Sequence, residues 1–131
     1  MIYLYLFGTC FHFIYVFMII GKYAQFKGRA GRSEFWMFYL VYFIIGAVFS
    51  ILMNLVASIS FLYYIILVLQ IIVILGLLVP TLAVSVRRLH DIDKGGGWIF
   101  INLIPLIGSI WFLVLLIKEG EKVANRFGNP A

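Results

Sequence analysis

Two apolar stretches joined by a three-residue link decide the fold: FWMFYLVYFIIGAVFSILMNLVA at 35–57, then Ser58-Ile59-Ser60, then FLYYIILVLQIIVILGLLVPTLAVSV at 61–86. Neither stretch contains an Asp, Glu, Lys or Arg. As a helix the first measures roughly 34 Å at 1.5 Å per residue, enough for the roughly 30 Å hydrocarbon core of a bilayer. A link this short forces the second stretch to return antiparallel to the first. Ser33 is placed to cap the first helix, and Glu34 in its first turn suits the helix dipole. Pro80 interrupts the second helix and frees a carbonyl, for which the Thr81 and Ser85 hydroxyls are the candidate donors.

The rest of the chain extends the pattern. Of its 131 residues 65% are hydrophobic and 11% charged, where a soluble domain has about 45–50% and 25%. A water-soluble fold of this size has nowhere to bury so much apolar surface. Residues 2–20 are uncharged and lack the basic start and small-residue cleavage site of a signal peptide, so they read as a further span. Residues 98–117 form a last apolar run containing Pro105 and Gly108. One kinked span is the expectation there. The alternative is a re-entrant hairpin, whose arms of about ten residues are each too short to cross. The expected class is an all-α integral membrane protein: a single membrane domain holding a bundle of three to four transmembrane helices, the last broken near Pro105. Cys10 is the only cysteine, which excludes an intrachain disulfide.

The net charge of +5 is confined to three segments, 21–34, 87–97 and the tail 118–131. The first two carry Lys22, Lys27, Arg29, Arg32, Arg87, Arg88 and Lys94, while the turn at 58–60 carries no charge. The positive-inside rule therefore places 21–34 and 87–97 together in the cytoplasm. A kinked final span sends Lys118, Lys122 and Arg126 outside, whereas a hairpin brings them back.

Three polar motifs stand out. The first is Phe26-Lys27-Gly28-Arg29-Ala30-Gly31-Arg32-Ser33-Glu34-Phe35-Trp36, in which Arg29 and Arg32 share a face if the stretch is helical. The second is Arg87-Arg88-Leu89-His90-Asp91-Ile92-Asp93-Lys94-Gly95-Gly96-Gly97-Trp98, with Arg87 and Asp91 spaced to pair along a helix end. The third is Asn125-Arg126-Phe127-Gly128. In these motifs, in their order, and in the Ile104-Pro105-Leu106-Ile107-Gly108 break, the sequence resembles the bacterial inner-membrane family catalogued as domain of unknown function 805, the YhaH-like proteins. The resemblance covers about residues 22–130. It implies a multi-pass inner-membrane location and carries no activity with it. The apolar run before Lys22 departs from the family pattern, and Met18 is an alternative start that deletes it.

Against this background the basic motifs have two readings. They anchor the helices on the cytoplasmic side, or they converge on an anion such as a lipid phosphate, for which the planar guanidinium fork is suited. The functional expectation is a non-enzymatic membrane component that binds anionic lipid, a membrane-protein partner or a second copy of itself, and no nucleic acid. Arg29, Arg32, Arg87 and Arg88 are its candidate anion ligands, and Glu34, Asp91 and His90 are the groups expected to hold them in place. No cofactor or metal is expected, because the cations around His90 and Asp91 repel one. No G-x-S-x-G, H-E-x-x-H or P-loop pattern is present. Two other classes stay open: a small transporter or channel subunit with a path along Asn54, Gln70, Thr81 and Asn102, and a headgroup enzyme using His90 and Asp91. His12 reads as a polar packing residue, and Gly46, Ser50 and Asn54 as a small-residue face for close helix approach.

Overall fold

The computed structural model describes residues 1–19 and 21–131. The side chains of Cys10, Phe11 and residues 13–20 lie outside that description, and with them the expectations about Cys10 and a start at Met18. The chain forms helices α1 (Ile2–Ile19), α2 (Arg32–Leu55), α3 (Ser60–Asp91) and α4 (Ile107–Ile117), with a 3-10 helix over Gly96–Leu103 between the last two. No strand forms among the described residues. The all-α architecture agrees with the sequence.

Helices α2 and α3 carry the fold. At 1.5 Å per residue their 24 and 32 residues measure about 36 and 48 Å. Both are long and apolar enough to cross a bilayer, and only 11% of their most apolar stretches is buried inside the chain. Phe43, Ile51, Phe61 and Leu75 are each more than 60% exposed. A helix in a soluble core would hide such side chains; these face a solvent that is itself apolar. The turn closes with the Ile59 amide on the Val56 carbonyl at 2.9 Å, and α3 returns antiparallel. Its length exceeds a bilayer core, and its last turns carry Arg87–Asp91 of the second motif as helix, in keeping with the helix end that the sequence suggested there.

Among the described residues, the buried clusters lie at that end of α3. Ala30, Phe35, Phe38, Val84 and Leu116 form one buried cluster, and Leu89, Ile92 and Leu115 another. The small-residue face does not serve as expected. A Cβ added at Gly46 meets nothing within 4 Å, and Asn54 turns back to donate to the Ser50 carbonyl at 2.8 Å. Nor does Ser33 cap α2, since Gly31 precedes the first helical residue and no side chain caps it.

Pro80 lacks the amide hydrogen that would bond the carbonyl four residues back, at Gly76. The Tyr23 hydroxyl donates to that carbonyl. Thr81 and Ser85 bond to Leu77 and Thr81 carbonyls instead, at 2.6 and 2.8 Å. The segment before α2 is thus stitched to α3 where α3 is weakest.

The run 98–117 is a hairpin, which corrects the kinked-span expectation. Its 3-10 arm of 8 residues measures about 16 Å at 2.0 Å per residue, and α4, with 11 residues, about 16 Å at 1.5 Å. Each reaches about half of a bilayer core. At the tip the Ile107 amide bonds the Pro105 carbonyl at 2.8 Å around Leu106, whose φ of 63° and ψ of −65° make a γ-turn. The arms then cross so closely that a Cβ on Gly108 would stand 1.8 Å from the Ile101 carbonyl oxygen. The way in begins with Gly96 against Val86 of α3. The way out ends with the Leu116 carbonyl accepting from Arg88 of α3 at 3.1 Å. Both ends lie at the charged end of α3, and the tail follows them there.

Tyr23→Phe should therefore leave the Gly76 carbonyl unsatisfied and lower stability by about 1–3 kcal/mol. In a Pro80→Ala background, which restores the missing amide donor, the same substitution should cost far less. Thermal unfolding of the four proteins in detergent measures the cycle. Equal losses in both backgrounds would refute the pairing.

Candidate functional site

Every Lys, Arg, Asp and Glu of the chain, ten cations and five anions, belongs to the segments gathered at this end. The centre is Asp91, the last residue of α3 and 5% exposed. Arg29 places Nε and Nη2 each 2.9 Å from its Oδ1, and Arg88 places Nη1 2.8 Å from its Oδ2. Arg88 reaches it from one helical turn back. The expected pairing of Arg87 with Asp91 is not the one formed. Arg87 points away, toward α2, and holds Glu34 at 2.7 Å, while Lys22 lies 3.6 Å from the same carboxylate.

Two guanidiniums on one carboxylate leave a surplus of positive charge in a buried place. It is met by main-chain carbonyls. Arg88 donates to the carbonyls of Leu116, at 3.1 Å, and of Lys118. Arg29 donates to Val123 at 2.8 Å, to Gly128 at 3.4 Å, to Asp91 at 3.2 Å and to Glu121. Three of these oxygens, on Asp91, Leu116 and Lys118, belong to the ends of α3 and α4. There carbonyls lack helical partners and the dipole is negative. Arginine suits the task because its five N–H donors radiate in a fixed plane. The chain approaches so closely that a Cβ on Gly120 would meet Asp91 Oδ2 at 1.9 Å, and the Glu121 amide donates to the Asp91 carbonyl at 2.8 Å.

His90 takes a different part from the one expected. Among the described residues it makes no ion pair. Its Nδ1–H donates to the Gly28 carbonyl at 2.9 Å, and its ring stacks on Phe127 at 3.9 Å with the planes 4° apart. Asn125 fastens the tail by donating to the His90 carbonyl at 3.0 Å. Arg126 closes it further on Asp93, with Nε 3.0 Å from Oδ1. Ala30 is pinned through its amide to the Arg87 carbonyl at 2.9 Å. The three sequence motifs thus form one clasp that locks both loops and the tail to α3.

Of the four arginines expected to bind an anion, Arg29, Arg87 and Arg88 are buried, at 8%, 2% and 0% exposure, against partners within the chain. Those guanidiniums face carboxylates and carbonyls of the chain itself. Arg32 alone is exposed, 3.9 Å from Glu119. Arg29 and Arg32 do not share a helix face, because Arg29 lies in the loop before α2. The polar residues weighed for a transport path do not converge. Gln70 lines a cavity of about 180 Å³ between α2 and α3 with Tyr42, Ile45, Gly46 and Phe49. Asn54 and Asn102 are exposed on other elements, and Thr81 bonds its own helix. Sequence reasoning missed Tyr23, whose signal was Pro80 needing a donor from elsewhere, and Gly120, whose signal was a glycine set between the acidic residues Glu119 and Glu121.

Fold and clasp together define an all-α membrane protein closed on one face by a carboxylate shared between two buried arginines. Residues 23–129 match the family described as Protein of unknown function (DUF805), and the chain belongs to that family. It is 36% identical to Inner membrane protein YhaI of Escherichia coli strain K12 over 111 residues, covering 85% of this chain and 89% of that protein. It is 38% identical to Inner membrane protein YhaH of the same strain over 120 residues, covering 84% and 89%. Uncharacterized protein YiiR is 30% identical over 93 residues, 69% of this chain and 58% of that protein. No solved structure matches. The family match begins after α1, as the departure in the sequence implied.

Asp91→Asn should be strongly destabilising, by about 3–5 kcal/mol, the usual cost of breaking a buried ion pair. Gly120→Ala should also loosen the clasp, through the Asp91 contact. Protease cleavage in the tail, compared with the parent protein in the same detergent, reports clasp opening. A tail that stays protected in both variants would contradict the clasp.

Proposed function

We propose that this protein is a non-enzymatic component of the bacterial inner membrane that holds anionic phospholipid through the charged face of its clasp. In this reading α1, α2 and α3 cross the bilayer, the hairpin dips into the inner leaflet, and the clasp and tail face the cytoplasm. The relatives named as inner membrane proteins support the location. The orientation is supported by the confinement of all ten Lys and Arg to one end of the helices, the strongest form the positive-inside bias can take.

The observation that carries the lipid reading is how the cations divide. Arg29, Arg87 and Arg88 are turned inward onto Asp91 and Glu34. Lys27, Arg32, Lys118 and Lys122 are exposed around the rim, and only Arg32 and Lys122 approach a carboxylate, that of Glu119, at 3.9 and 3.6 Å. Exposed pairs at such distances hold little energy, so these side chains are available to headgroups. Each basic residue near an anionic surface contributes about 1 kcal/mol of attraction. The ligands are thus the exposed cations, and the buried arginines shape the face that presents them.

Replacing Lys27, Arg32, Lys118 and Lys122 together by Gln should lower the phosphatidylglycerol and cardiolipin that co-purify with the protein several-fold, with thermal unfolding unchanged. Anionic lipid retained at the parental level by this folded variant would overturn the reading. For the orientation, single cysteines at Ser58 and Ala131 in the Cys10→Ser protein should label from opposite sides of sealed inverted vesicles, Ala131 from the cytoplasmic face.

A further inference from the structure

We propose that the mouth of the hairpin is a binding site for one anionic phospholipid, its phosphate beside Lys94 and Arg126 and an acyl chain along Trp98, Ile101 and Ile104. This rests on the lipid reading above and gives it a place. A cleft of about 480 Å³, lined by Gly95, Gly97, Trp98, Ile101 and Arg126, opens where the 3-10 arm leaves the clasp. Its size falls in the roughly 300–1,000 Å³ range of small-molecule sites.

The chemistry of the cleft changes with depth as a phospholipid does. At the charged end, the Lys94 ammonium lies 5.1 Å from the centroid of the Trp98 ring. Arg126 commits Nε and Nη2 to Asp93 at 3.0 and 2.9 Å, which leaves Nη1 for another acceptor. Lys94, Arg126 and Asp93 together give this mouth one net positive charge. Below it the 3-10 geometry matters. With three residues per turn, side chains three apart fall in line. Trp98 and Ile101 therefore fall in line, Ile104 follows at the end of the 3-10 helix, and Trp98 and Ile104 are 39% and 52% exposed. An α-helix would spiral the same residues apart. The glycines at 95 and 97 keep the upper wall free of side chains, and a Cβ at Gly97 would meet nothing within 4 Å.

Trp98 supplies the readout. In a Trp36→Phe/Trp111→Phe background it is the only tryptophan, and its fluorescence reports bromine on neighbouring acyl chains. The protein is reconstituted in phosphatidylcholine vesicles containing an equal minority of brominated phosphatidylglycerol or brominated phosphatidylcholine. One net cationic charge at the headgroup predicts a roughly five-fold preference for the anionic lipid. Lys94→Gln/Arg126→Gln should abolish the preference. So should Gly97→Leu, which fills the cleft without touching a charge and stands alone should the charge variant unfold. Sodium phosphate at the lipid concentration should leave the quenching in place; relief would mean that free phosphate outcompetes the lipid at the charged mouth, and would overturn the phospholipid as its ligand. Equal quenching by the two lipids in the background protein, or a preference that survives Gly97→Leu, would overturn the site. If that happens while the rim variant still loses anionic lipid, the broader reading stands and the cleft alone is wrong.

Discussion

The arrangement depends on one carboxylate. Asp91 is buried where an isolated charge costs several kcal/mol to desolvate, and it is tolerable there because Arg29 and Arg88 address its two oxygens from different parts of the chain. Each arginine in turn is tolerable only because carbonyls from the α4 end and the tail absorb the remaining N–H groups. The dependence runs both ways. Remove the carboxylate and two guanidiniums face each other; remove the tail and their donors face nothing. Loop, helix end, hairpin exit and tail are therefore held as a unit rather than as four separate contacts.

Such a centre is what a small chain in a bilayer requires. Between helices in lipid the hydrophobic effect gives little net attraction, because acyl chains are as apolar as leucine. The lipid-facing lengths of α2 and α3 bury only 11% of their most apolar stretches, and the contact at Gly46 leaves space where a close crossing would fill it. Orientation of the helices must then be specified at their ends. The two buried clusters and the ion-paired centre all lie within the last turns of α3 and what meets them. The Tyr23 hydroxyl on the Gly76 carbonyl extends that control inward to the proline. The hairpin follows the same logic: arms too short to cross can exist only if both ends are anchored at one level.

The membrane class was legible because it depends on composition over twenty-residue windows, a property no tertiary contact alters. The break at Pro105 was legible for the same reason, as local chemistry. Its consequence was not. A run of twenty apolar residues has the length of a span whether it continues or turns back, and what separates the two is where Lys118, Glu121 and Val123 place their carbonyls, which no local pattern encodes. The pairings failed similarly. A spacing of four linked Arg87 to Asp91 on paper, yet Arg88 at a spacing of three took that partner, because Glu34 on a neighbouring helix claimed Arg87. Tyr23 and Gly76 are 53 residues apart; the need for a donor was readable at Pro80, but not its source.

The same reasoning explains why the arginines looked like ligands. Counting acids against bases in the motif loops leaves a surplus of cations, and a surplus suggests an anion from outside. The count omits the carbonyl oxygens at helix ends, which carry partial negative charge and have no partner of their own. In this chain those oxygens, with the tail's, take up the donors of Arg88 and Arg29 that Asp91 does not. Satisfying hydrogen bonds does not cancel net charge, however, and the chain still carries +5 on this face. The charge is felt by whatever lies against the face, through side chains that were unremarkable in the sequence: Lys27, Lys94, Lys118 and Lys122. Arg29, Arg87 and Arg88 spend their directional forks on architecture, and lysine, a hydrated point charge on a flexible stem, is left at the surface beside Arg32 and Arg126, where an anion that keeps its water and its mobility is the natural counterpart.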